Sequence, residues 1–198
     1  MGYTHYWYRP AGSLDQGTWD KLVNDMRFLH KHMPPTTETA GGYCKDDPLV
    51  LTGCYRFKAP QFNKDMIWFN GGGKCLRHKT IDERGESSWE DTVKNDLGHE
   101  TFAVHRTAHE RNHGKGEPVF ACCKTARKPY DLMVCACLIL LKHHFGKQVE
   151  VCSDGDEDDW AEAFKFIGHI LPGGKEIVTE IKLSNNLFER CINKERAS

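Results

Sequence analysis

The chain is predicted to be α/β, with α+β as the alternative: a mixed sheet packed by about three main helices and carrying loop insertions. Three observations lead there. The opening Tyr3 to Tyr8 is rich in aromatic and β-branched residues and stops at Arg9-Pro-Ala-Gly12, as a strand running into a turn does. Trp19, Leu22, Val23, Met26 and Leu29 then recur at helical spacing. In the second half, strand-like and helix-like segments alternate.

Taken in order, Ser13 or Asp15 is placed to cap the first helix, which spans Thr18 to Met33 and stops at Pro34-Pro35. Thr36 to Asn63 breaks into short apolar pieces around Leu49–Leu51 and Tyr55–Phe57, read as irregular with short strands. Met66 to Phe69 is a strand leaving through Asn70-Gly-Gly-Gly73. Residues 74–97 and 105–116 are polar excursions, the second lying between strands Thr101–Val104 and Pro118–Ala121. Pro129 and Asp131 suit the first turn of a helix that ends at Lys142, His143 and His144, with Gly146 beyond. Val149 and Val151 mark a strand, and Trp160, Phe164, Ile167 and Leu171 a helix. Pro172-Gly-Gly174 ends that helix, and Ile177 to Leu183 reads as one more strand before a short helix, Leu187 to Cys191. Residues 1–171 therefore form one globular domain, with 172–198 packed on it or extending it.

With 198 residues, 39% hydrophobic and 28% charged, the chain can bury a core without a disulfide scaffold. A net charge of −1 gives no indication of nucleic-acid binding. Nine cysteines, several inside apolar runs such as Cys135-Ala-Cys137, and no secretory leader favour a reducing, cytoplasmic setting. The most apolar stretch, Leu132 to Leu141, is about half of the roughly 20 residues of a membrane span and reads as a core helix.

No motif fixes a reaction or a cofactor. The best candidate is Cys122-Cys-Lys-Thr-Ala-Arg-Lys-Pro-Tyr-Asp131, between a strand and a helix start, where backbone N–H groups and the helix dipole favour an anion. Lys124, Arg127 and Lys128 add charge, and Thr125 a hydroxyl. The plainer reading is a loop whose cations are solvated or paired with the acidic run Asp156 to Asp159. Cys123 is a candidate nucleophile, since nearby cations and a helix N-terminus lower a thiol's pKa, with His5 or His99 as its base. Ser153-Asp-Gly155 follows a strand and can wall the same crevice, or simply cap a helix.

Metal readings are weak. His105, His109 and His113 share a face only if their segment is helical, and no C-x-x-C or His-Glu-x-x-His pattern occurs. No metal ligand is assigned. A calcium loop starting at Asp154 would need glycine where Asp159 stands and glutamate where Lys165 stands. Tyr3, Tyr6, Trp7 and Tyr8 suit strand packing better than base stacking.

Met1-Gly-Tyr-Thr-His-Tyr-Trp7, Phe69-Asn-Gly71, Gly98-His-Glu-Thr-Phe102, Cys123 to Asp131 and Ser153-Asp-Gly155, taken together and in order, resemble a family of uncharacterised proteins. That family, met in bacteria, tailed phages and large DNA viruses, opens on the same Gly-Tyr-Thr-His-Tyr-Trp words. The resemblance implies kinship with no assigned reaction. It points to Thr4, His5, Asn70, His99, Glu100, Cys123, Lys124, Thr125, Arg127, Lys128, Tyr130 and Asp131 as shared positions. The excursion after Gly73, the His-rich insert and the tail beyond Pro172 depart from the pattern.

The leading expectation is a small anionic ligand, phosphate or nucleotide-like, bound between the His5 and His99 segments and the Lys124 to Asp131 loop. Asn70, Glu100 and Tyr130 join the binding set, and His5, His99 or Cys123 would act if the chain is an enzyme. The alternative is a non-enzymatic structural or interaction protein, virion-associated if viral, using its inserts to contact a protein partner. A zinc-stabilised module is the third.

Overall fold

The computed structural model describes residues 3–38, 47–53, 58–73, 78–81, 84, 87–90, 97–109 and 118–183. Strand β1 (Thr4–Arg9) alternates strictly and turns His5, Trp7 and Arg9 inward. After β2 (Gly12–Ser13), α1 (Gln16–Lys31) starts at Asp15, whose carboxylate accepts from the Thr18 N–H at 2.8 Å. The predicted helical stripe, Trp19 to Leu29, is its buried face. Short strands β3 (Leu51–Thr52) and β4 (Gln61–Phe62) and the longer β8 (Phe102–His105) all pair with β5 (Met66–Gly71). Within the 74–97 excursion, β6 (His78–Ile81) and β7 (Ser87–Glu90) form an antiparallel pair.

Strand β9 (Thr107–Ala108) pairs with β2, so the start of the His-rich insert is a sheet edge. His105 stands in β8 rather than on a helix, and His113 lies outside the described residues. Strand β10 (Val119–Lys124) leads through a tight loop into α2 (Asp131–Phe145), then β11 (Glu150–Ser153) and α3 (Glu157–Ile170). Pro129 stands just before α2 rather than in its first turn. Gly146, at φ 52°, ends α2 in a conformation that favours glycine.

The α/β expectation is met by an arrangement in which β1 lies between β10 and β11 and pairs antiparallel with both. Those two strands consequently run parallel to each other, with α2 as the crossover between them. Every described ladder is antiparallel, so the expected mixed sheet is replaced by antiparallel sheets, and it is helices and strands that mix. Helix α2 is buried on all sides from Leu132 to Leu141, as its near-continuous apolar sequence requires. Helices α1 and α3 pack against it, and His144 on α2 meets Asp25 on α1 at 2.7 Å.

Two expectations are corrected. Ile177 to Leu183 is not a strand: Gly174–Leu183 forms α4, packed on α3 and α2. The β-branched residues Ile177, Val178 and Ile181 suggested a strand, but Ile177 and Ile181 stand four apart and share the buried face, so tertiary packing overrides propensity. At Gly174 the helices approach so closely that any Cβ would collide with the Ile167 carbonyl. Leu187 to Cys191 and Tyr55 to Phe57 lie outside the described residues. The second correction concerns the cysteines. Cys122, Cys123, Cys135 and Cys137 carry thiols, whereas Cys152 in β11 is disulfide-bonded. No described helix is long and apolar enough to cross a membrane.

Candidate functional site at the ends of two parallel strands

Because β10 and β11 run the same way, their carboxyl ends meet the start of β1 at one edge. Lys124 and Ser153 stand beside Thr4 and His5 there. From that edge the chain enters α2 on one side and α3 on the other, so two helix N-termini converge. The Ser153–Gly155 turn is pinned across β1: Asp154 accepts from the Thr4 N–H and the Tyr6 hydroxyl, both at 3.0 Å, and its N–H donates to the Thr4 carbonyl. None of its three residues lines the cleft between α2 and α3, so rather than walling that crevice the turn serves the sheet and the start of α3.

The loop from Thr125 to Pro129 is shaped by its backbone. The Thr125 and Ala126 N–H groups both donate to the Tyr3 carbonyl, and Lys128 N–H closes back on the Thr125 carbonyl. Ala126 and Arg127 then sit at φ 53° and 54°, a left-handed pair that carries strain in residues with a Cβ. This turn lays the Arg127 guanidinium over the Tyr3 ring, 4.1 Å from its centroid, and against Asp159 at the start of α3. Arg127 Nε and Nη2 donate to the two Asp159 oxygens at 2.9 and 3.1 Å. The plainer reading, a loop cation paired with the acidic run, is therefore right for Arg127. Asp159 also accepts from the Asp156 N–H, completing a capping box.

Burial works against the charge on Asp159, but the hydrogen bonds from Arg127 and Asp156 outweigh it and hold the carboxyl below the usual range. A depressed folded-state pKa gives stabilisation that is present above the ordinary carboxylate pKa and is lost as pH falls through the folded value. The loss should lie below about pH 4. Asp159→Asn should flatten this acid limb in denaturation curves taken at stepped pH, and an unaltered limb would show that the pair contributes nothing.

Beneath Arg127, His5 is wholly buried, and its Nε2 meets Asp131 Oδ1 at 2.7 Å. The edges of Tyr3 and Trp160 close on the imidazole, with ring centroids at 4.9 and 5.1 Å. Cys135, one turn along α2, places its sulfur 3.7 Å from the same nitrogen. A small cleft of about 330 Å³, counting its open mouth, reaches this group between α2 and α3. Arg127, Lys128, Asp131, Cys135, Asp159 and Glu162 line it.

The other predicted residues gather on the far side of β10. The Asn70 side chain holds the His99 carbonyl and N–H at 3.0 and 3.2 Å, and the Glu100 carboxylate accepts from the Lys124 N–H at 2.7 Å. The Tyr130 hydroxyl donates to the Glu100 carbonyl at 2.7 Å. Asn70, Glu100 and Tyr130 thus tie the 97–101 segment to β10 and α2, and His99 turns to solvent. Gly71 belongs to this brace, since a Cβ there would stand 2.7 Å from the Tyr130 ring. Thr125 is fully buried and supports the loop through its backbone.

Cys123 is placed differently from expectation. It is the cross-strand partner of His5, inside β10 and fully buried, not at a helix start. Burial, then the neighbouring Glu100, pushes its thiol well above its ordinary value, the opposite of activation. Burial likewise raises Cys135 and Cys137. Among the described thiols, a thiol reagent should therefore modify exposed Cys122 first and the other three only on unfolding, as read by peptide mass spectrometry. Rapid labelling of Cys123 in the folded chain would restore it as a nucleophile.

Sequence reasoning missed Tyr3, Cys135 and Trp160, and had Asp159 only as one member of the acidic run. The available signal was the four-residue spacing of Asp131 and Cys135, which puts both on one face of α2. Nothing local announces that Arg127 finds Asp159, 32 positions away. Compared with known proteins, the chain matches no family model, no curated protein and no solved structure.

Proposed function

We propose that the chain binds a small ligand with an anionic group, phosphate or nucleotide-like, in the cleft between the Thr125–Pro129 loop and α3. The observation that carries this reading is the left-handed turn beyond β10 that brings Arg127 and Lys128 to one cleft against the start of α3. As it stands the cleft has room for little more than a water molecule, so a ligand has to widen it by moving Arg127. The strained turn that presents Arg127 supports it too, since strain concentrates where it serves a site.

Asp131, Asp159 and Glu162 face the same space as Arg127 and Lys128. An anion therefore enters by drawing Arg127 away from Asp159, and the ligand needs hydroxyl or amine donors for the carboxylates. A sugar phosphate or nucleotide carries both. Binding is favoured over catalysis, because Cys123 and Cys135 are enclosed thiols with raised pKa values and His5 is walled by two rings.

A thermal denaturation series with inorganic phosphate, ribose 5-phosphate and AMP tests the proposal. A ligand at 100 times its Kd adds about 2.7 kcal/mol to the native state. The expected result is a rise in Tm with at least one of the three, lost in Arg127→Ala. No rise at millimolar concentration in the unmutated chain would sink it.

The non-enzymatic interaction reading, virion-associated if the family resemblance extends to viruses, is favoured by one observation. Tyr6 and Tyr8 pack around Phe120 on the outer face of the sheet, and Phe120 is 43% exposed. Ligand linkage separates the two readings, because only the first predicts stabilisation by a small anion.

A further inference from the structure

Asp131 and Cys135 leave α2 on one face, and His5 meets them from β1. The imidazole Nε2 stands 2.7 Å from Asp131 Oδ1 and 3.7 Å from Cys135 Sγ, and Sγ stands 3.8 Å from Asp131 Oδ2. All three ligand atoms fall within 4.8 Å of one another. Nitrogen, oxygen and sulfur are the donor types of zinc, with bonds of about 2.0 to 2.3 Å. At tetrahedral angles those bond lengths separate sulfur from nitrogen or oxygen by about 3.6 Å, and nitrogen from oxygen by about 3.4 Å. The two sulfur spacings already fit. Nε2 meets Oδ1 whereas the fitting sulfur contact is to Oδ2, so coordination through Oδ2 requires the carboxylate to give up its hydrogen bond to the imidazole.

Two further features at the same spot point to a ligand. The Tyr3 hydroxyl has no hydrogen-bond partner although Tyr3 is only 2% exposed. A Cβ on Gly155 would touch both that hydroxyl, at 2.6 Å, and Asp159 Oδ2, at 2.7 Å, so the hydroxyl lies beside Gly155 and Asp159 while the Tyr3 ring packs on His5. A buried hydroxyl without a good partner is destabilising, and a metal-bound water with a free lone pair would relieve it. The cleft, for its part, ends on Asp131 and Cys135, two of the three donors.

We propose that His5, Asp131 and Cys135 hold one zinc-class divalent cation, with an open fourth position toward the cleft. On binding, the Cys135 proton leaves to solvent and the thiolate coordinates, while the proton that His5 Nε2 shares with Asp131 shifts to Nδ1, leaving a neutral imidazole with Nε2 free for the ion. The cation's two charges, less the new thiolate charge, make the cleft more positive by one unit. This inference goes beyond the ligand reading and does not depend on it, since metal binding is read with no anion present and either can fail alone.

Cobalt(II) titration of the full chain is the test. The expected result is a saturable thiolate-to-cobalt charge-transfer band with the visible bands of a tetrahedral ion, displaced by zinc. Cys135→Ser should abolish the charge-transfer band, Asp131→Asn should weaken cobalt binding about tenfold or more, and Cys137→Ser should leave both unchanged. Asp131→Asn preserves shape and, checked by circular dichroism, carries the test if Cys135→Ser does not fold. Absence of the band in the unmutated chain would overturn the proposal. So would a band of equal strength and affinity in Cys135→Ser and Asp131→Asn, which would put the metal on other cysteines.

Discussion

Trp160→Ala is expected to cost about 3–5 kcal/mol of stability, the range for emptying a fully buried aromatic site. Trp160 has no exposed surface and heads the buried stripe of α3 that faces α2. Its ring also stands edge-on to His5, at 86°. Against a total of about 5–15 kcal/mol for a typical domain, the loss would be a large fraction. Trp160→Phe keeps most of the apolar area and should cost clearly less. Denaturant midpoints at constant slope give the comparison. Equal stability of Trp160→Ala and the unmutated chain would mean that α3 is not seated on α2 as described.

Arg9→Met should cost about 3 kcal/mol or more, through the groups it abandons rather than through lost attraction. Arg9 is 4% exposed and donates to three carbonyls: His105 at 2.9 Å, Gly12 at 2.9 Å and Arg106 at 3.0 Å. Burial, then the charge of Arg106, draws its pKa below the ordinary value, and among the described residues the guanidinium is held by carbonyl bonds. Methionine fills the space of the stem and removes three hydrogen bonds from a charged donor; the Arg106 carbonyl keeps the Leu14 N–H at 3.0 Å, so the loss falls on the His105 and Gly12 carbonyls, at about 1.5–3 kcal/mol for a bond to a charged group. Arg9→Lys, a point donor without the planar fork, should fall between the two. A methionine variant as stable as the parent would show that solvent already reaches these carbonyls.

Much of the framework was legible because it follows local rules. The aromatic and β-branched run Tyr3 to Tyr8, the helical stripe from Trp19 to Leu29 and the unbroken apolar run Leu132 to Leu141 each identify their element without help from distant residues. Ile177 to Leu183 misled for a physical reason: a β-branched stretch becomes a helix once Ile177 and Ile181 find the same apolar wall. The strand order was not legible, since placing β1 between β10 and β11 depends on pairings more than a hundred residues apart. The site divides the same way. The helix start and its cations could be read from the loop words, while His5 with Asp131, separated by 126 positions, could not. Cys123 failed because strand β10 runs on to Lys124 and buries it, leaving the helix start to Asp131.

The central claim is that Arg127, held at the cleft by its left-handed turn, exchanges Asp159 for an anionic ligand. The most direct measurement is the Arg127 Nε–H signal in a proton–nitrogen correlation spectrum, assigned by its disappearance in Arg127→Lys and followed while AMP or inorganic phosphate is added. The expected result is a saturable displacement of that signal. A signal that stays at its starting position to millimolar ligand, in a chain whose other resonances report the folded state, would contradict it.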